Sequence, residues 1–337
     1  MSKPLAPDAI LQLGMGFWAS KTLLSAVSLG LFSELAQGPL DCGEIQRRLG
    51  LHERGARDFL DALVALRVLQ RDGARYSNSA EADLFLDRAK PSYVGGILEM
   101  MDRRLFAHWG HLTEGLKTGL PQNEARDGQE DVFATIYADP AILRNFLGAM
   151  TGVSRMAARA IAAAFDWSKV RTFVDVGCAQ GGCMAEIAGV HPHLAGTGFD
   201  LPQVGPLFEE FVQARGLGER LRFQGGSFFE QPIPSADVLV MGHILHDWDL
   251  AQKRALLAKA HAALPAGGSL IVYDAMIDDE RRENAFGLLM SLNMLIETKG
   301  GFDYTGADCI GWMREAGFRE ATVTRLNATH AMAVAVK

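Results

Sequence analysis

The sequence predicts an α/β protein. An open, mostly parallel sheet occupies the C-terminal half and is closed by an antiparallel hairpin. A mostly helical N-terminal region with a winged-helix pattern precedes it. Three observations carry this reading. Phe173-Val-Asp-Val-Gly-Cys-Ala-Gln-Gly-Gly182 reads as a buried strand running into a glycine-rich turn, and Gly198-Phe-Asp-Leu-Pro202 as a second strand ending in an acid. Strand, glycine turn, helix, strand and acid is the order in which an open α/β sheet builds a pocket for a ribose-bearing cofactor. The chain closes with two strand-like segments, Ala321–Leu326 and His330–Val336, joined by a short polar loop, which read as a hairpin.

The elements follow in order. Residues 8–37 are predicted helical, because Leu11, Met15, Trp18, Leu23, Val27 and Leu31 recur at roughly helical spacing, and Leu29-Gly-Leu-Phe32 marks a helix end. Asp41–Gly50 is a short helix with Gly50 as its C-cap. Glu53–Leu69 is another, with Phe59, Leu60, Leu63, Leu66 and Leu69 on its apolar face. Leu69–Tyr76 reads as two short strands around an Asp-Gly turn. Residues 90–165 look helical and irregular, with Met100, Met101, Leu105, Trp109, Phe133, Tyr137, Phe146 and Met150 either as core or as a flexible apolar wall for a substrate. From there strands are expected at 172–177, 195–200, 220–225, 236–241 and 268–274, and helices at 181–190, 204–216, 250–263 and 303–317. The expected boundaries are 1–95, 96–165 and 166–337.

Composition narrows the function classes. A chain of 337 residues, 48% hydrophobic and 22% charged, fits a soluble globular protein of two domains. The net charge of −7 disfavours a nucleic-acid partner. The candidate recognition helix mixes Glu53, Asp58 and Asp61 with Arg54, Arg57 and Arg67, which is no basic stripe and points to protein contact. The apolar first helix suits burial by a partner subunit. Cys42, Cys178, Cys183 and Cys309 contain no C-x-x-C pair and read as reduced thiols. The start, Met1-Ser-Lys-Pro4, lacks a signal core, and no apolar run reaches membrane-spanning length. The expected location is cytoplasmic.

Gly177–Gly182 alone is a degenerate dinucleotide fingerprint, with Ala179 in place of its middle glycine. Three features turn the reading toward S-adenosylmethionine. The sheet follows a helical domain. Asp175 sits at the end of the first strand, where it meets a ligand ammonium well and repels a pyrophosphate. The terminal hairpin matches the extra antiparallel strand of methyltransferase sheets.

With Val174-Asp-Val-Gly177, Phe199-Asp-Leu-Pro202, His246-Asp-Trp248, Ala263-Leu-Pro-Ala-Gly-Gly268 and Gly300-Gly301 in this order, the chain resembles the small-molecule O-methyltransferases related to the plant caffeate and bacterial polyketide enzymes. The resemblance covers nearly the whole chain. It implies an N-terminal winged-helix dimerisation domain, a Rossmann-like class I methyltransferase domain, a homodimer, and a small hydroxylated acceptor such as an aromatic or polyketide-like natural product. The match to the family's His-Asp-Trp motif makes His246 the general base. Asp274 and Asp303 match its flanking carboxylates, where the family typically has glutamates. Asp303 has a second reading, as cap of the helix that follows. The cofactor set is Asp175, Gly177, Asp200, Leu201, Ser227, Phe228, Gly242 and Ser154. The family's substrate positions fall on Met101, Phe146, Met150, Asn293, Met294 and Thr298. No metal is implied.

The chemistry suits a histidine base. A phenol has a pKa of about 10 and an imidazolium about 6.5, so full prior ionisation is uphill and proton removal coupled to attack is favoured. The chain departs from its relatives at Ser227, where many carry an aspartate toward the adenine amine, and at Gly242, where plant relatives carry lysine. Both remove a charge from the cofactor site. Open alternatives are hydroxylation on the same fold, and metal-assisted C- or N-methylation with His246, Asp247 and His243 as ligands.

Overall fold

The structure, a computed structural model, describes residues 5–124 and 136–337; Phe133 lies outside them. The chain divides into two compact units, Met1–Ala107 and His108–Lys337. Residues 96–165 are shared between them.

The first unit holds the helices Asp8–Gly14, Gly16–Ser28, Leu31–Leu35, Cys42–Leu49, Glu53–Ala65, Ala80–Leu86 and Gly95–Met100. The helix expected over 8–37 is thus divided, at Met15 and at Gly30, whose φ of 76° no helix interior accommodates. Asp41 caps Cys42–Leu49 in a reciprocal pairing with Glu44, and Gly50 closes it at φ 67°. Strands β1 (Leu40–Asp41), β2 (Leu69–Asp72) and β3 (Arg75–Asn78) form an antiparallel sheet in the order β1-β3-β2. β1 is too short to leave a periodic signal and was not foreseen. Leu31, Phe32, Ile45, Leu60 and Leu63 form the core. Leu66 lies outside it, 41% exposed, because its helix stops at Ala65. Asp8–Gly14 buries nothing within its own chain, and Ile10, Leu11, Leu13, Phe17 and Trp18 are exposed.

The second unit is built on seven strands: β4 (Thr172–Val176), β5 (Ala195–Asp200), β6 (Leu221–Gly225), β7 (Val238–Gly242), β8 (Ser269–Asp274), β9 (Arg319–Arg325) and β10 (Ala331–Val336). Their order is β6-β5-β4-β7-β8-β10-β9. Neighbours from β6 to β8 are parallel; β10 is antiparallel to both β8 and β9, as the terminal hairpin predicted. Two apolar layers cover the sheet, one around Trp167, Phe173, Met184 and Phe208, the other around Leu239, Leu256, Leu270 and Met313. The strand order reverses between β4 and β7, which opens a crevice at their carboxyl ends.

Two differences from expectation bear on the site. Ala285–Glu297 is a helix that the periodicity did not signal, since its apolar residues run nearly unbroken. The helix expected from 303 begins at Gly306, with Thr305 and Asp308 forming its capping box. Asp303 therefore does not cap it. Among the described residues, no helix is long and apolar enough to cross a membrane.

Candidate active site

The crevice begins where β4 gives way to its turn. Gly177 has φ 73°, and a Cβ there would lie 2.1 Å from Cδ1 of Ile244, so any other residue is strained and must displace that side chain. Its N–H donates to the Phe199 carbonyl at 2.8 Å. Ala179, at φ 49°, donates its N–H to Asp200 Oδ2 at 2.8 Å, and Leu201 N–H donates to Oδ1 at 2.7 Å. These bonds fix the acid at the end of β5 against the turn, and each carboxylate oxygen keeps a lone pair for a ribose hydroxyl. Burial raises Asp200 to about 6, and the two N–H donors restrain that rise. Asp175 is buried in β4 and pushed up to about 8 by burial and then by the charge of Asp200. No cation pairs with it among the described residues. A glycine cradle beside two buried carboxylates fits a cationic, ribose-bearing ligand and rejects a pyrophosphate.

The remaining residues of the expected cofactor set are placed as follows. A Cβ at Gly242 would fall 2.0 Å from the Tyr273 ring, so this tyrosine takes the room that a side chain would need. Burial pushes the Tyr273 hydroxyl well up, and Ser154 acts against that rise. Ser227 Oγ accepts N–H bonds from Phe229 at 3.3 Å and Glu230 at 3.4 Å, which makes it a turn cap in this structure. Phe228 stands edge-on to Trp248, with ring centroids 5.9 Å apart.

The second cluster forms past the ends of β7 and β8. His243 has φ 55° and leads into a tight turn, Leu245–Asp247. His246 is buried, with Nδ1 at 3.4 Å from Asp303 Oδ1 and 3.7 Å from Asp274 Oδ1, and Nε2 at 3.5 Å from Asp247 Oδ1. The shorter aspartates therefore reach the imidazole. Burial pushes its pKa down, but Asp274, Asp247 and Asp303 outweigh that and hold it at about 10. Burial in turn raises Asp274 to about 6 and Asp247 to about 7. Tyr304 donates its hydroxyl to Asp274 Oδ2 at 2.5 Å, and Ser291 Oγ accepts the Asp303 N–H at 3.2 Å.

Gly300-Gly301 supports this turn sterically. A Cβ at Gly301 would lie 2.5 Å from the His246 carbonyl oxygen and 2.7 Å from that of Asp247. His243, His246 and Asp274 also bring one ligating atom each within 4.8 Å of the others. His330 was not anticipated. Its ring stands 5.0 Å from that of His243, because Ala331 pairs with Asp274 across β10 and β8. A lone histidine at the mouth of a hairpin gives no sequence signal. His243 Nε2, His330 Nε2, Asp274 Oδ1 and Asp303 Oδ2 are all buried without a hydrogen-bond partner, as expected of groups poised for a ligand or water.

Phe146, Met150 and Ser154 recur every four residues on Pro140–Ala164 and so share one helix face. Asn293 Oδ1 accepts the Trp109 indole N–H at 2.8 Å. Met294 is buried, and Thr298 Oγ donates to the Met294 carbonyl and accepts the Gly301 N–H at 2.8 Å, which ties the helix end to the glycine pair. Met101 belongs to the first unit, at the start of the π-helical turn Met101–Leu105.

Residues 109–319 match the O-methyltransferase domain family, and residues 11–88 match the O-methyltransferase dimerisation domain. The chain belongs to the O-methyltransferase family. It is 47% identical to the tetracenomycin polyketide synthesis 8-O-methyl transferase TcmO of Streptomyces glaucescens, over 98% of this chain and 97% of that protein. It is 39% identical to the N,N-dimethyltransferase OxyT of Streptomyces rimosus, over 96% and 95%. Among solved structures, human N-acetylserotonin methyltransferase in complex with SAM superposes with a TM-score of 0.92 at 29% identity, covering 100% of this chain and 99% of that one. The chain is a methyltransferase that uses S-adenosylmethionine.

Proposed function

We propose that this methyltransferase methylates a hydroxyl of a small aromatic, polyketide-like acceptor, with His246 as general base. The observation that carries the proposal is the placement of His246 against Asp303 and Asp274 at 3.4 and 3.7 Å. Bound S-adenosylmethionine supplies a methyl group on a positively charged sulfur. Asp175 offers its carboxylate to the cofactor's ammonium group, and Asp200 its carboxylate to the ribose. Asp303 and Asp274 face Nδ1 of the His246 ring and stabilise its imidazolium, and Nε2, 3.5 Å from Asp247 Oδ1, takes the acceptor proton from the deprotonated ring. Phe146, Met150 and Met294 supply an apolar wall suited to a planar ring, and Asn293 and Thr298 add polar groups to it.

By domain, residues 1–95 serve dimerisation, 96–165 the substrate wall, and 166–337 the cofactor. The match of residues 11–88 to the dimerisation family, with the exposed apolar helices that lie there, supports a homodimer. The polyketide character of the acceptor rests on the likeness to TcmO. The test is to incubate the purified protein with labelled S-adenosylmethionine and a panel of polycyclic phenols. An O-methylated product is expected with at least one phenol, and label appearing only on amine acceptors would overturn the proposal.

N-methylation is a second reading, favoured by the 39% identity to an N,N-dimethyltransferase. It also needs a base, since an ammonium must lose its proton before attack. Its metal-assisted form would use the His243, His246 and Asp274 cluster. Elemental analysis checks that form, and we assign the cluster to proton handling.

A further inference from the structure

We infer that Lys253 is a positioning residue for methyl transfer: its buried ammonium fastens the His246 turn to the Gly300–Tyr304 loop. The inference rests on the family reaction and, for its bearing on catalysis, on His246 as the base.

Lysine ordinarily keeps its ammonium in water while its stem lies along apolar surface. Lys253, one turn into the helix Leu250–Ala263, is 0% exposed. Its Nζ donates to the Trp248 carbonyl at 2.5 Å, two residues beyond His246. The same atom stands 3.6 Å from the centroid of the Phe302 ring and 5.7 Å from that of Tyr304, in the loop that carries Asp303. Cation–π contact with Phe302 on one side and a carbonyl on the other make it a clamp between two segments that must stay in register for His246 and Asp303 to meet.

No carboxylate lies within ion-pair distance of its Nζ among the described residues. A buried charge without a contact partner is costly. The compensation is longer-ranged: Asp274 from β8, Asp303 from the glycine loop, and Asp247 and Asp249 from the His246 turn all favour the ammonium against burial, which leaves it at about 8. Three of these acids also favour protonated His246.

The experiment compares turnover of wild type, Lys253→Met and Lys253→Arg at saturating S-adenosylmethionine with an accepted phenol, and uses S-adenosylhomocysteine binding to report on the fold of each variant. The expected result is a fall in turnover of about ten- to a hundredfold in Lys253→Met, recovered to within about threefold of wild type in Lys253→Arg, which keeps a buried cation for the Trp248 carbonyl and the Phe302 ring, with cofactor affinity within about twofold of wild type in both. Wild-type turnover in a folded Lys253→Met, or a loss that Lys253→Arg does not recover, overturns the inference. If Lys253→Met does not fold while Lys253→Arg does, the clamp is supported; if neither folds, the lysine stem is plain packing and the inference falls. Full activity in His246→Ala would remove the base reading, while the comparison of Lys253→Met with Lys253→Arg still decides the clamp.

Discussion

Three carboxylates within 4 Å of one imidazole hold His246 as imidazolium in the free protein near neutral pH, so the proton it carries must leave before it can act as base. The two buried acids of the cofactor crevice are also raised, Asp175 further than Asp200. Asp175 yields a prediction with a definite sign. With a folded midpoint near 8, it is largely protonated at pH 6. A cationic ligand binds the ionised form, so affinity for S-adenosylhomocysteine should climb as pH rises from 6 toward 8, by up to about tenfold per unit. Asp175→Asn should flatten that slope and weaken binding by about tenfold or more. Calorimetric titrations at pH 6, 7 and 8 check both, and a flat wild-type profile contradicts the role. At this scale the positions of His246, Asp274, Asp303, Asp175 and Asp200 around the crevice were legible, because each sits at a strand end or in an ordered motif, while their roles remain proposals. Lys253 and His330 were not. Nothing in their neighbouring residues marks them, and only the folded chain brings them to the cluster.

At the scale of elements, the glycines do the placing. Gly177→Ala puts a Cβ into Ile244 and an L-residue at φ 73°. The expected cost is roughly 1–3 kcal/mol from backbone strain alone, read as a lowered urea midpoint, together with a loss of cofactor affinity. Wild-type stability and affinity would show that the turn relaxes without consequence. The strand–turn–helix pattern of the sheet was readable because alternating elements and terminal hairpin leave distinct periodicities. Ala285–Glu297 escaped, since a helix apolar on most sides has no period to detect, and β1 escaped because two residues carry none. Asp303 as a helix cap was a fair reading of local sequence. The Thr305–Asp308 capping box takes that task and leaves Asp303 for His246.

At the scale of the molecule, Ile10 and Leu13 are 77% and 82% exposed, in a helix that buries nothing of its own. Apolar residues in that state call for a covering surface, and the dimerisation match supplies the context. On the proposed homodimer, light scattering should give a dimer mass for the wild type and a monomer mass once both are replaced with aspartate, and a mass that the replacement leaves unchanged contradicts an interface on this helix. Sequence order alone identified the reaction family. The acceptor was not legible, because pocket shape depends on helices packed from distant parts of the chain. The central claim, that His246 takes the acceptor's proton during methyl transfer, is tested most directly by the turnover of His246→Ala at saturating S-adenosylmethionine. The account predicts a fall of about 10²–10⁴-fold with S-adenosylhomocysteine affinity nearly unchanged; turnover close to wild type would contradict it.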